Sequence, residues 1–162
     1  MNHLWNTDDI NPYWFKRTVK YKLLIASKQE WVDEIHNSNV CLNYRIFKKL
    51  ETEKYLDVQD DKDRIALTKF RCGNNRLPIT TGRFTNLPRN QRICTLCNSH
   101  EIGDEYHYIF QCKFLSEYRK KFLTPYYRFN PNTDKMCELF NSNSTTKLTN
   151  LSKFCGIIMN NF

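Results

Sequence analysis

Apolar residues recur along the first part of the chain at spacings that return to one side of a helix. Between residues 12 and 37 these positions are Trp14, Tyr21, Leu24, Ile25, Trp31, Val32 and Ile35. Asn11 and Pro12 precede them. Proline suits the first helical position because it gives up only an amide that would lack a partner. The pattern predicts a long helix, or two stacked pieces, that ends near residues 36–39.

Helical patterns also mark several later segments. Segment 60–73 opens with acidic residues and closes with Gly73, which are the signals of a helix of about three turns. Residues 50–59 and 124–134 are predicted to be linkers, and residues 74–93, with two prolines and Gly82, an extended loop. A helix after Cys112 should stop before Pro125. Two C-terminal helices are predicted over residues 134–140 and 147–159.

Charge is distributed unevenly along the chain. The 162 residues carry a formal net charge of +8, yet residues 1–60 hold nine basic and nine acidic side chains. The stretch 64–92, called the basic segment below, holds seven basic residues and no acidic one. The excess of positive charge therefore lies immediately before the cysteines at 94 and 97. Such an asymmetry is typical of proteins that contact nucleic acid.

The composition also limits the class of protein. No stretch reaches the roughly 18 apolar residues that a membrane span needs, so no membrane partner is expected. The N-terminus lacks a basic region followed by an apolar run, so no secretory signal is predicted. Seven cysteines is an odd number, which favours reduced thiols and metal binding over a disulfide framework. The predicted location is intracellular, nuclear or cytoplasmic.

Four metal-binding side chains lie close together in the sequence CTLCNSHEIGDEYHYIFQC, residues 94–112. Cys94, Cys97, His107 and Cys112 form the pattern C-x2-C-x9-H-x4-C. Two cysteines separated by two residues can reach one ion from a tight turn, and the histidine and last cysteine complete a tetrahedral set. On an α-helix, residues five apart differ by about 140° in direction, so Cys112 must lie at a loosened helix end.

This cysteine–histidine cluster predicts one structural Zn²⁺, because four protein ligands leave no position for a reacting water. The alternative is that the thiols are simply buried and the histidine is a satisfied core residue. His100 is a weaker candidate ligand in a polar turn, and Cys72 could be an outlying ligand. The remaining cysteines are expected to pack as small apolar groups; they are Cys41, Cys137 and Cys155.

The predicted fold is mostly α, a small single domain with one zinc knuckle and helical N- and C-terminal extensions. Residues 1–40 would form an N-terminal helical segment. Residues 41–123 would hold the basic helix and loop together with the zinc-binding region. Residues 124–162 would form a C-terminal linker and helices.

Three strings, DRIALTKFRCGNNRLPITTGRF, RICTLCNSHEIGDEYHYIFQC and SEYRKKFL, resemble the C-terminal region of invertebrate non-LTR retrotransposon reverse transcriptase proteins. The stretch CLNYRIFKKLETEKYL is also similar to that family, so the resemblance covers about residues 20–125. It implies a zinc-binding segment that helps to hold nucleic acid, downstream of a polymerase. It also implies that the chain could work beside a separately encoded reverse transcriptase.

The polymerase chemistry of that family is not expected here. Reverse transcriptases use adjacent aspartates and a third carboxylate to hold two metal ions. Asp60 and Asp61 are adjacent, but no apolar strand follows them, which favours a solvated helix N-terminus over a catalytic remnant. The chain is too short for a polymerase core, and it carries no hydrolase or phosphate-loop motif. We therefore expect a protein that is not an enzyme.

The basic segment supplies the candidate contacts to RNA or DNA, because arginines bind phosphate oxygens through charge-assisted, often bidentate bonds. Phe84 could stack on a base. The predicted nucleic-acid-binding residues are Arg64, Arg71, Arg76, Arg83, Arg89 and Arg92. The alternatives are a basic surface that only aids solubility, a zinc-stapled protein-interaction or scaffold domain, and a relic open reading frame with no present role.

Overall fold

The computed structural model describes residues 11–38, 44–48 and 52–162. Contacts divide the chain into two compact units, residues 1–38 and residues 39–162. The helices are α1 Pro12–Asn37, α2 Tyr44–Phe47, α3 Asp61–Arg71, α4 Pro78–Phe84, α5 Ser116–Phe122, α6 Pro125–Arg128, α7 Thr133–Phe140 and α8 Thr145–Met159. The described part of the chain contains no strand, only one isolated bridge. The prediction of a mostly α fold is confirmed.

The described part of the first unit contains α1, which is one continuous helix of 26 residues rather than two stacked pieces. The Asn11 side chain caps it by accepting a hydrogen bond from the amide of Tyr13 at 2.9 Å, and Pro12 occupies the first turn. No residue of α1 is buried. No helix in the ranges that the model describes is both long and apolar enough to cross a membrane.

The second unit is built around α3 and α8, which pack against each other. The Asp60 side chain caps α3 by accepting from the amide of Asp63 at 2.9 Å. Asp60 and Asp61 therefore lie at a helix N-terminus, as predicted. The apolar side chains at the centre are fully buried; they include Leu67, Phe70, Leu148, Leu151, Phe154 and Ile158. Cys155 is also buried there, Cys137 is half-buried, and Cys41 lies outside the described residues.

Two segments predicted to be linkers contribute to this core. Lys54–Asp57 is a 3-10 helix that buries Tyr55, and Val58 follows it in the interior. In the segment 124–134, α6 buries Tyr127. Periodicity missed both because each is only one helical turn long. The predicted boundary between the zinc-binding region, which ends at residue 123, and the C-terminal linker and helices, which begin at residue 124, stays a prediction.

The prediction of an extended loop over residues 74–93 is wrong, because α4 lies within it. Pro78 occupies the first turn of α4, where its missing amide costs nothing. Gly82 does not break this helix. A Cβ at Gly82 would lie 2.6 Å from Cγ of Arg92, so the glycine allows the Arg92 side chain to cross α4 closely.

Candidate metal centre

The first half of the centre is a tight turn that carries two cysteines. Ile93 and Ile102 form an isolated antiparallel bridge, and the amide of Cys94 donates to the carbonyl of Glu101 at 2.8 Å. Within the turn, the amide of Leu96 points at Sγ of Cys94 at 3.4 Å. This backbone arrangement turns the Cys94 and Cys97 thiols toward the same point, with their sulfurs 3.6 Å apart.

The second half is a short helix that begins at Asp104. The Asp104 carboxylate accepts from the amide of His107 at 2.9 Å and so caps this helix. Residues His107–Gln111 are π-helical, and the amide of Cys112 donates to the carbonyl of His107 at 2.8 Å. A π-helical turn closes over five residues instead of four. His107 and Cys112, five apart, therefore reach the same side, which accounts for the loosened helix end expected from the sequence.

The two halves bring the four predicted ligands together. Sγ of Cys94 lies 3.9 Å from Sγ of Cys112, and Sγ of Cys97 lies 3.4 Å from Nε2 of His107. All four ligand atoms lie within 4.8 Å of one another, so they could hold a metal ion. The sulfur separations far exceed the roughly 2.05 Å of a disulfide, and all three thiols are free.

Burial shapes the acidity of these thiols. Cys94, His107 and Cys112 are buried, and Cys97 is half-buried. Burial, followed by repulsion from the Cys94 thiolate, raises the pKa of Cys112 to about 12. Burial also opposes ionisation of Cys97, but its hydrogen bonds with Ser99, Cys94 and His107 outweigh that effect and lower its pKa to about 6. At neutral pH Cys97 would therefore offer a thiolate to a cation, whereas Cys112 would first have to lose a proton.

Other candidate ligands do not join this cluster. Neither His100 nor Cys72 belongs to the group of four close ligand atoms in the described chain. His100 is exposed and occupies the left-handed region with φ 56°, where it forms part of the turn after Cys97. Cys72 caps the C-terminus of α3.

The basic segment is fastened to the metal centre by backbone contacts. The amide of Ile79 donates to the carbonyl of Gly103 at 3.2 Å, and the amide of Gly103 donates to the carbonyl of Arg92 at 2.8 Å. Arg89 forms an ion pair with Asp104 at 3.5 Å. Asp104 therefore has two functions, because one carboxylate oxygen caps the helix of His107 and the other holds an arginine of the basic segment.

Buried polar side chains reinforce the same connection. Asn75 donates from Nδ2 to the Glu105 carboxylate at 3.0 Å, and its Oδ1 accepts from the Thr80 hydroxyl at 2.8 Å. Asn75, Thr80 and Glu105 are all buried. The contact between Asn75 and Glu105 was not predicted from the sequence, since neither residue type indicates such a partner by itself. The loop before α4 is therefore bonded to Glu105, which lies two residues before His107 in the sequence.

The structure removes Arg71 from the predicted nucleic-acid-binding residues. Its side chain is fully buried, pairs with Glu53 at 2.7 Å and donates to the carbonyl of Phe140 at 2.7 Å. Its guanidinium also lies over the Tyr55 ring, 4.6 Å from the centroid. Arg71 therefore holds the interior of the second unit together, and a phosphate cannot reach it in this conformation.

The other five predicted arginines divide into two groups. Arg64 is partly buried and donates to the carbonyl of Val58 at 2.8 Å, and Arg92 is partly buried and donates to the carbonyls of Ile79 and Leu87. Both serve local structure. The remaining three, Arg76, Arg83 and Arg89, lie on the surface or partly on it. Phe84 beside them is 81% exposed, and the Arg83 guanidinium lies 6.0 Å from its ring centroid.

Comparisons of the chain with protein-family models, with curated proteins and with solved structures gave no match.

Proposed function

We propose that the chain is a zinc-stabilised nucleic-acid-binding module, derived from the C-terminal part of a retrotransposon reverse transcriptase and lacking the polymerase core. The observation that carries the proposal is the attachment of the basic segment to the cysteine–histidine cluster through Gly103, Asp104 and Glu105. A metal ion bound by the cluster would order the surface that carries the arginines. Binding of metal and binding of nucleic acid would then be coupled through the backbone.

Zinc is the ion that the donor set favours. Tetrahedral zinc, with bonds of about 2.3 Å to sulfur and 2.0–2.1 Å to nitrogen, places neighbouring sulfurs about 3.8 Å apart and sulfur about 3.6 Å from nitrogen. Three of the six separations, 3.6 and 3.9 Å between sulfurs and 3.4 Å between sulfur and nitrogen, are close to these values, and all six lie within 4.8 Å. Three thiolates and an imidazole are also the ligands that select zinc over hard cations such as magnesium.

The chemistry that zinc supplies here is structural. Cys94, Cys97, His107 and Cys112 would hold the ion, and these four ligands complete a tetrahedron without a water. Nε2 of His107 faces the sulfurs, so its proton would lie on Nδ1, which is buried and has no hydrogen-bond partner among the described residues. We therefore propose no catalytic residue and no reaction at this centre.

The proposed partner is the phosphate backbone of RNA or DNA. Arg76, Arg83 and Arg89 would contact phosphate oxygens, and the exposed ring of Phe84 would stack on a base. Contacts to phosphates and to the face of a base carry little sequence information, so we expect recognition of backbone and shape rather than of sequence. A chain with this surface would be suited to work beside a separately encoded reverse transcriptase.

Elemental analysis of the purified full chain tests the metal. We expect one zinc per chain, retained through gel filtration and removed by a strong chelator with loss of helical circular dichroism. A structural zinc site of this kind contributes roughly 10–16 kcal/mol to folding. A chain that contains no metal and folds normally in chelator would overturn the zinc assignment.

A salt titration of nucleic-acid binding tests the partner. Each phosphate neutralised by the protein adds about 0.7–0.9 to the slope of log affinity against log salt. The variant Arg76→Ala/Arg83→Ala should therefore bind more weakly and lose about 1.4–1.8 from that slope, with unchanged zinc content. The matched control is Lys54→Ala/Lys120→Ala, which removes two exposed charges outside the basic segment and should leave the slope unchanged. Equal slopes for all three proteins would refute the basic surface.

A second candidate function is a zinc-stapled protein-interaction or scaffold domain, and α1 is the observation that favours it. This helix exposes large apolar side chains, among them Trp14, Tyr21 and Leu24. Such a face binds a protein partner through apolar contacts, whose strength changes little with salt. If α1 is the interface with a protein partner, the variant Trp14→Ser/Leu24→Ser should no longer form that protein complex. If the basic segment is the functional surface, the same variant should bind nucleic acid as well as the unmodified chain does.

A further inference from the structure

Arg119 is a buried cation beside the metal centre. It lies in α5, is 8% exposed, and its side-chain hydrogen bonds to the described residues go to backbone carbonyls. Nε donates to Ile109 at 2.6 Å, and Nη2 donates to Cys112 at 2.9 Å and to Tyr108 at 3.5 Å. The guanidinium therefore spans the carbonyl end of the π-helix that presents His107 and Cys112.

No carboxylate lies within ion-pairing distance of Arg119 in the described part of the chain. This distinguishes it from the other buried arginine, Arg71, whose partner is Glu53. A buried charge without a counter-charge is expensive, so an unpaired buried guanidinium requires an explanation.

The cysteine–histidine cluster provides the missing negative charge. Three thiolates carry three negative charges, a divalent ion carries two positive ones, and the imidazole is neutral. A zinc site of this composition has a net charge of −1. Arg119 is hydrogen-bonded to the backbone of one of the ligands, so its charge of +1 lies within the same desolvated region, where charges interact strongly.

We propose that Arg119 is the counter-charge of the metal centre, a positioning residue that stabilises the anionic three-thiolate zinc site and fixes the carbonyl end of the helix carrying His107 and Cys112. This inference rests on the proposed zinc site and deepens it. It explains why a cation is buried where no carboxylate among the described residues pairs with it. It also implies that the preference for three thiolates over two is set partly by a residue outside the ligand set.

The test is a cycle of variants that separates charge from packing. Arg119→Gln removes the charge and retains part of the hydrogen bonding. Cys97→His makes the zinc site neutral, and the half-buried position of Cys97 can accept the larger ring. Zinc affinity is measured for the full chain and each variant by competition with a chromogenic chelator. Circular dichroism in zinc excess verifies folding.

Loss of a partner outside the ligand shell typically weakens metal binding about 10–100-fold, and we expect this loss for Arg119→Gln in the three-thiolate chain. In the Cys97→His chain the same substitution should lower zinc affinity less than about threefold, or raise it, because that zinc site is neutral and Arg119 has no negative charge to balance. Arg119→Lys, which keeps the charge, should retain most of the affinity. Equal losses from Arg119→Gln in both chains would show that Arg119 acts only through packing and would overturn the proposal.

Three further outcomes are decisive. If Arg119→Gln does not fold in the three-thiolate chain, the zinc affinities of Cys97→His and Cys97→His/Arg119→Gln are compared instead. A further tenfold loss of zinc affinity in the double variant would contradict the proposal. If the unmodified chain binds no zinc, the proposed function fails. If it binds zinc and Arg119→Gln binds equally well, only the role of Arg119 fails.

Discussion

The amide of Cys112 donates a hydrogen bond to the carbonyl of His107, five residues earlier, at 2.8 Å. This one π-type contact explains how a histidine and a cysteine at a spacing unsuited to an α-helix present their side chains to the same point. The contact lies in the interior, where His107 and Cys112 are both buried. The irregular turn is therefore part of the candidate metal centre, and π-helical turns are frequent at functional sites.

Replacing Cys112 by serine should release the metal and melt the region around it. The substitution removes a buried sulfur ligand, and a hydroxyl is a poor ligand for a soft site. We expect less than one-tenth of the zinc content of the unmodified chain, and a thermal transition that chelator no longer lowers.

The control for that experiment is Cys137→Ser, because Cys137 is half-buried and outside the cluster. It should keep its zinc and remain sensitive to chelator. If Cys112→Ser retained stoichiometric zinc, the assignment of the fourth ligand would be wrong.

The cluster could be predicted from the sequence because its evidence is local. Cysteines two residues apart and a histidine and cysteine nearby restrict the chemistry whatever the surrounding fold. The role of Arg71 could not be predicted in this way. Its burial depends on Glu53 and Phe140, residues far from it in the sequence, so a local charge pattern placed it on the surface. Likewise, Gly82 favours a loop when only its neighbours in the sequence are considered, because its close approach to Arg92 exists only in the folded chain.

Alanine substitutions at two glycines should have opposite effects. A Cβ at Gly82 would lie 2.6 Å from Cγ and 2.8 Å from Cδ of Arg92, so Gly82→Ala must displace that side chain from the carbonyls of Ile79 and Leu87. We expect a loss of about 1–3 kcal/mol in the free energy of unfolding, measured by urea in zinc excess.

Gly156 in α8 is the matched control. Its Cβ would meet only the Cβ of Ala66, at an ordinary contact distance of 3.8 Å. Gly156→Ala should be neutral or stabilise the chain by up to about 1 kcal/mol, because alanine is the better helix former. The same destabilisation at both positions would show that the crossing of Arg92 over α4 does not exist in solution.

Zinc affinity should rise with pH. Without a bound cation the pKa of Cys112 is raised to about 12, so at neutral pH binding must displace its proton. Affinity should therefore increase about tenfold per pH unit between pH 7 and 9 for that one proton alone. Below pH 6 the dependence should steepen, because Cys97, with a pKa lowered to about 6, then also carries a proton. Competition titrations at fixed ionic strength measure the slope, and an affinity that does not change with pH would contradict thiolate ligation.

Arg71 and Arg76 lie five positions apart in the basic segment, and identical substitutions should separate their functions. Arg71→Met leaves the buried Glu53 carboxylate without its closest partner, although Lys48 remains 3.3 Å from it. Removing one partner of a buried pair costs roughly 3–5 kcal/mol, and we expect the lower end of that range here. Arg76→Met changes an exposed side chain and should shift the free energy of unfolding by no more than about 0.5 kcal/mol.

Urea unfolding and nucleic-acid binding, both measured in zinc excess, should separate the two variants. Arg71→Met should lose stability and keep its affinity for nucleic acid, whereas Arg76→Met should keep its stability and lose affinity. Weakened binding by Arg71→Met at unchanged stability would mean that the guanidinium is exposed in solution, and the buried position described for it would be incorrect.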